Sequence, residues 1–356
     1  MQTHIKPTLR SCQSLLILSF ALTFSIQPVP GQTEPVLTKN FQKLYDLPNE
    51  TRPANQDPAW DACSENFKPR RAIPWNTRQS EIFTKSGKAN HNAHDVLTSQ
   101  NHKIPINIKF SYGFFDKDIE DEPVSLMVAD ANCNWSTQAQ GLTNKDGRLI
   151  LEMEPLPVGH YPARAILEPD GTMAHFQISV LPSKRDLAII DIDGTLTLSD
   201  GELIHQIFKK LFFGQYVPKM REGAIQTARL LKAKGYHLVY LTGRPYPLHR
   251  ITRSWLKSKR FPPGTLILTD SKRQSLPFKK AVGQFKAQRI QAMIDGGFDA
   301  VIGLGNAKTD IFAYEKADLS KDLTFIIGKH AGKEGTVKIT DYPSSLPFFQ
   351  TLPVAK

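Results

Sequence analysis

Leu187-Ala188-Ile189-Ile190-Asp191-Ile192-Asp193-Gly194-Thr195 is the stretch whose reading decides the fold. Its aliphatic run reads as a buried strand that stops at Gly194. Side chains alternate faces along a strand, so Asp191 and Asp193 emerge on the same side, about two residue rises apart. Two carboxylates sharing one site repel unless a cation lies between them or one keeps a proton. The pair therefore calls for a metal or a proton-transfer role, and reads as a phosphoryl-transfer nucleophile.

Around this stretch, after Pro182, strand patterns alternate with helical ones, which predicts an α/β domain with a parallel sheet covered on both faces. Strands are predicted at 186–192, 237–242, 264–269, 299–303 and 323–327, and helices at 222–235, 247–258, 282–296 and 308–315. Ligands in such sheets bind beyond the carboxyl ends of the strands. Each polar motif falls at one of those ends. His237 to Leu241 runs into Thr242-Gly243-Arg244-Pro245, where the Thr242 hydroxyl is placed to meet a phosphoryl oxygen. Val301 to Gly305 runs into Asn306-Ala307-Lys308-Thr309-Asp310, whose oxygen-bearing Asn306 and Asp310 suit a hard cation such as Mg²⁺. The same two residues also suit a helix start, as N-cap and first-turn acid. Lys286, on the helix before that strand, is a cation within reach of the phosphoryl group, with Lys279 and Lys280 as neighbouring alternatives.

Upstream, Ile104 to Leu181 breaks into short alternating segments punctuated by Asn144-Lys145-Asp146-Gly147 and Glu168-Pro169-Asp170-Gly171. That spacing predicts a small β-sandwich of immunoglobulin-like architecture with no catalytic constellation. Residues 32–100, rich in Pro, Asn, Lys and Ser, are expected to form an extended arm. His91, His94, Asp95 and His102 lie within it without the tight spacing of metal ligands.

The first 31 residues carry His4, Lys6 and Arg10, an apolar run from Leu15 to Ile26, and Val29-Pro30-Gly31, the pattern of a cleaved secretory signal. The expectation is an exported protein, periplasmic or secreted. Cys63 and Cys133 are then the only thiols left, and whether they are bridged is open; a bridge would close a loop of about 70 residues, worth roughly 4 kcal/mol. Charge is uneven: residues 201–290 hold 19 Lys and Arg against 3 Asp and Glu, in a chain whose total is +11. A basic face attracts an anionic substrate or surface. No aromatic-interleaved or zinc-finger pattern points to nucleic acid. In the first long insert, Leu203, Ile204, Ile207, Phe208, Leu211 and Phe212 recur at helical spacing beside Lys209 and Lys210, as in an interfacial helix or a core-facing one.

Taken together, Asp191-x-Asp193-Gly-Thr195, Thr242, a helical Lys and Gly305-Asn306-x-x-x-Asp310 resemble the haloacid dehalogenase-like phosphatases. With Thr197 and Ser199-Asp200 the resemblance narrows to lipin-type phosphatidate phosphatase domains. The layout is similar to the carboxy-terminal region of the Nir/RdgB membrane-associated phosphatidylinositol transfer proteins, where a β-sandwich ending like Val180-Leu181-Pro182 precedes a lipin-like domain. The resemblance covers about residues 90–330 and does not include the lipid-transfer domain of those proteins. It implies a Rossmann-like parallel sheet, a nucleophile at Asp191, a general acid and base at Asp193, phosphoryl contacts from Thr242 and Lys286, and Mg²⁺ held by Asp191, the Asp193 carbonyl, Asn306 and Asp310. Members of the Nir/RdgB type lack the nucleophile and act as phosphatidic-acid sensors, whereas this chain keeps both aspartates.

The expected organisation is thus a signal peptide at 1–31, an arm at 32–100, a β-sandwich at 101–183, a phosphatase domain at 184–335 and a tail at 336–356. The expected activity is Mg²⁺-dependent phosphomonoester hydrolysis of phosphatidic acid or a related anionic lipid, with peripheral membrane contact and an undetermined oligomeric state. The alternatives are a non-catalytic phosphatidic-acid-binding module and a phosphatase of soluble exported esters.

Overall fold

The computed structural model describes residues 63–68, 72–113, 115–198, 217–270 and 279–356, all within one compact unit, Arg52–Lys356. The signal peptide expected at 1–31 and the helix expected around Leu203 to Phe212 lie outside the described residues. Among those described, no helix is long and apolar enough to cross a membrane.

The amino-terminal part is a sandwich of two sheets. Its elements are helix α1 (Arg78–Thr84) and strands β1 (Asn92–Ala93), β2 (Val96–Ser99), β3 (Ile104–Lys109), β4 (Ser111–Tyr112), β5 (Lys117–Asp118), β6 (Pro123–Ala129), β7 (Trp135–Leu142), β8 (Arg148–Met153), β9 (Gly159–Leu167) and β10 (Met173–Leu181). One sheet runs β2-β10-β9-β6-β7 and the other β1-β3-β8, with β4 and β5 as a separate ribbon. Inward residues such as Ile104, Ile106, Phe110, Leu126, Phe176 and Ile178 fill the space between the sheets. The alternation that predicted these strands is the alternation of core and solvent faces. Five strands escaped it: the two-residue β1, β4 and β5, and the longer β2 and β7. β7 carries mostly exposed polar residues, and β2 pairs in parallel with β10, Val96 opposite Ile178, a partner about 80 residues away.

The sandwich therefore begins before residue 101. The stretch expected to be an arm supplies α1, β1 and β2, and Asp95 explains why it is ordered. The Asp95 carboxylate, almost fully buried, accepts from the backbone N–H of Gln177 at 2.8 Å and of Leu266 at 2.8 Å, and pairs with Arg253. One side chain thereby ties the sandwich to two elements of the following domain.

That domain contains β11 (Asp186–Ile190), α2 (Ala224–Ala233), β12 (His237–Pro245), α3 (His249–Ser258), β13 (Thr265–Thr269), α4 (Lys279–Asp295), β14 (Asp299–Gly305), α5 (Lys308–Lys316), β15 (Thr324–Ile327), β16 (Val337–Ile339) and α6 (Tyr342–Thr351). Its six strands form one sheet in the order β13-β12-β11-β14-β15-β16, and every pairing is parallel. Leu187 and Ile189 of β11 and Val239 and Leu241 of β12 pack with Phe285 and Ile290 of α4 and Ile311 and Tyr314 of α5. The expected tail at 336–356 is instead β16 and α6: Phe349 is fully buried, its ring 4.9 Å from that of Phe325. Proline inside α6 at 347 obscures its helical pattern in the sequence.

Cys63 and Cys133 are joined as a disulfide. Beside it the Trp135 indole donates to the Cys63 carbonyl at 3.1 Å, so the segment 63–68 is pinned to the sandwich.

Candidate active site

The chain winds outward from β11 first to β12 and β13, then crosses to β14 and beyond. Strand order reverses at β11, and the carboxyl end of a strand at such a switch point opens a crevice between its two neighbours. Asp191 is the first residue past β11, fixed by its backbone N–H to the Leu304 carbonyl at 2.9 Å. The chain then turns sharply. Gly194 sits at φ +81°, and a Cβ there would fall 2.0 Å from the Asn306 Nδ2 atom. Only glycine both adopts this conformation readily and leaves room for the Asn306 amide. The turn is held by the Gly194 N–H donating to the Thr197 hydroxyl at 3.0 Å and by Arg221 donating to the Gly194 carbonyl at 3.0 Å.

Three charged side chains meet beneath the turn. Lys286 Nζ donates to Asp191 Oδ1 at 2.6 Å and to Asp310 Oδ1 at 2.7 Å, and all three are buried. Burial pushes the Asp191 carboxyl up to about 7, opposed by Lys286 and reinforced by Asp310 and Asp193. Burial disfavours the Lys286 ammonium, but Asp191 and Asp310 outweigh it and hold Lys286 in its charged form. Two carboxylates against one ammonium leave a net negative charge in a buried trio, which a proton or a further cation would neutralise.

Asp310 serves two ends. Its Oδ2 accepts from the Asn306 N–H at 2.9 Å and the Ala307 N–H at 3.0 Å, capping α5, while Oδ1 faces Lys286. The cap is Ala307 rather than Asn306. Gly305 allows the close approach, since a Cβ there would lie 2.5 Å from that of Asp310. With both oxygens engaged by Lys286 and the α5 N–H groups, Asp310, expected as a Mg²⁺ ligand, instead shapes the site through Lys286.

The oxygens suited to a hard cation lie across the turn. Thr195 Oγ1 is 2.8 Å from Asp191 Oδ2 and 3.4 Å from Asn306 Oδ1, so one hydroxyl brings the two together. Among the described residues no three His, Cys, Asp or Glu side chains group as a metal cage. A cation that takes one or two carboxylates and keeps its waters needs none.

Asp193 has partners of its own. Arg244, fully buried, grips it in a fork, Nε to Oδ2 at 2.9 Å and Nη2 to Oδ1 at 2.7 Å, and the Thr242 hydroxyl donates to Oδ2 at 3.2 Å. Arg244 also donates to the Thr252 hydroxyl of α3 at 3.0 Å. An irregularity in the pairing of β12 with β13 between Leu241 and Pro245 carries this segment over the strand end. Arg244, within Thr242-Gly243-Arg244-Pro245, is a functional residue to which the sequence motif alone attaches no role. The signal was an arginine at a strand end facing an aspartate pair.

The family model for the LNS2 domain of PITM 1-3 matches residues 188–328, and that for the PITM 1-3 beta-sandwich domain matches residues 89–180. The chain thus carries a β-sandwich domain followed by an LNS2 domain, each similar to those of PITM 1-3. It is 26% identical over 287 residues to protein retinal degeneration B of Drosophila melanogaster, a match covering 78% of this chain and 21% of that protein. It is 27% identical over 267 residues to membrane-associated phosphatidylinositol transfer protein 1 of Homo sapiens, covering 73% of this chain and 20% of the relative. The chain thus spans about a fifth of the length of these relatives. Their names also correct one expectation. The exported, periplasmic or secreted location drawn from the first 31 residues is overturned, because the human relative is a membrane-associated protein.

Proposed function

We propose that the chain is a haloacid dehalogenase-like, Mg²⁺-dependent phosphomonoesterase acting on phosphatidic acid or a related anionic lipid. The observation that carries the proposal is the Asp191 carboxylate at the end of the central strand, backed by Lys286 and Thr195. Asp191 would attack phosphorus, forming an aspartyl-phosphate as the bond to the leaving oxygen breaks; water would then cleave the acyl-phosphate and release phosphate. Lys286 neutralises charge gathering on the transferring group. Asp191, the Asp193 carbonyl and Asn306 would hold Mg²⁺, which supplies further charge neutralisation. Asp193 would protonate the leaving oxygen and later take a proton from water. The lipid is suggested by the basic segment 201–290 and by the phosphatidylinositol named in the relatives.

A second reading rests on Arg244. A carboxylate held by both oxygens in a guanidinium fork is poorly placed to deliver a proton, which favours a site that binds a phosphate head group without turnover. Phosphate release from phosphatidic acid vesicles and from a small phosphate ester, with Mg²⁺ or with chelator, distinguishes the readings. The enzyme reading expects Mg²⁺-dependent release, abolished in Asp191→Asn with the fold intact. Vesicle binding without release supports the binding module, and release from the small ester alone points to a soluble substrate. Undiminished release in Asp191→Asn would remove the nucleophile assignment.

A further inference from the structure

A cavity of about 600 Å³ lies between the sandwich and the LNS2 domain, on the outer face of α3, away from the strand-end crevice. This is the size of a small-ligand pocket. Its lining is chemically one-sided: Arg164 of β9 and Arg250, Arg253 and Lys257 of α3 contribute four cations, and among the described residues no Asp or Glu lines it. Helix geometry explains the row, because positions 250, 253 and 257 repeat at three and four residues. The opposite side of α3 buries Thr252, Trp255 and Leu256.

The walls are built rather than loose. Arg253 is fixed from behind by Asp95, which offsets one of the four charges. Arg164 is held with its guanidinium 4.0 Å from the Phe67 ring and 4.5 Å from that of Trp135, in the wall stapled by the Cys63–Cys133 disulfide. His249, at the start of α3 and almost fully buried, has an Nε2 atom with no hydrogen-bond partner. So does the Gln177 side-chain oxygen. Both residues line the cavity and add polar character to its wall. Arg250 and Lys257 lie at the exposed side, where an anion would enter.

We infer that this cavity is a second binding site, distinct from the Asp191 site, for a small anion bearing two or more phosphate groups. Guanidinium and ammonium groups from two domains converge there, and arginine forks match phosphate oxygens. The phosphates belong either to a soluble phosphate ester or to a lipid head group presented at a membrane surface.

Trp135 lines the cavity and reports on it. Titrating the full chain with inositol trisphosphate, and with phosphatidylcholine vesicles with or without phosphatidylinositol bisphosphate, should give a saturable change in tryptophan emission that weakens with added salt. Saturation by the soluble ester identifies a free ligand; saturation by the bisphosphate vesicles alone identifies a lipid source. Arg250→Glu with Lys257→Glu, both at exposed positions, should weaken binding by at least about tenfold, while Asp191→Asn leaves it unchanged. The inference is overturned if neither probe saturates, if the double variant binds as well as the parent, or if Asp191→Asn alone abolishes binding.

Discussion

Lys286 touches Asp191 and Asp310 within the core, and removing it would leave two buried carboxylates facing each other. Breaking a buried ion pair by deleting one partner costs about 3–5 kcal/mol. Lys286→Met is expected to lower the unfolding free energy by that order, and adding Asp310→Asn should recover part of the loss, because an asparagine oxygen still accepts the α5 capping bonds. Urea titration of the single and double variants checks this; additive losses would mean the trio does not act as a unit. The meeting of Asp191, Lys286 and Asp310 was legible in the sequence because each sits where a βα pattern places a strand end or an adjacent helix. Arg244 was not. A side chain's partner depends on the path of the turn, here the irregular end of β12, and sequence spacing does not fix that path. Asp193 stays close enough to Asp191 to push its carboxyl up, but the Arg244 fork on both of its oxygens depends on that same turn and was not readable from spacing.

At the scale of elements, Asp95 links β10, β13 and α3. Asp95→Ala would remove the acceptor shared by Arg253 and two backbone N–H groups. A loss of about 3–5 kcal/mol is expected, with unfolding splitting into two transitions as the sandwich and LNS2 domain separate; a single unshifted transition would show that other contacts carry the junction. The regular strands and helices of the LNS2 domain were readable within a few residues, since each buries a local apolar pattern. β2 was not, because its reason for being a strand is a distant partner, and α6 was not, because Pro347 disguised it. Asp95 itself read as one of several polar residues in a loop.

Across the whole molecule, two observables report on the junction. His237 lies buried, bonded to the Thr265 hydroxyl at 2.8 Å and stacked on His160 of the sandwich at 5.9 Å. Burial, with Lys232, His160 and Arg185 nearby, holds His237 well below its ordinary value of 6.5, and burial with Arg253, His94 and His175 does the same for His249. Both stay neutral in the fold while the unfolded chain protonates below pH 6.5, so stability falls as pH drops from there. Each group contributes a slope of up to about 1.4 kcal/mol per pH unit. Melting temperatures between pH 7.5 and 5.0 should decline below 6.5, and less in His237→Gln. Reducing the Cys63–Cys133 bridge should cost roughly 4 kcal/mol for its long loop, seen as a lower urea midpoint with dithiothreitol and absent in a Cys63→Ser/Cys133→Ser double variant. The three bonds of Asp95 also set an order in time. During synthesis Gln177 emerges about 80 residues after Asp95, Arg253 next and Leu266 last. Until the second domain leaves the ribosome only the Gln177 bond can form, so the two bonds that join the domains wait on translation of the second.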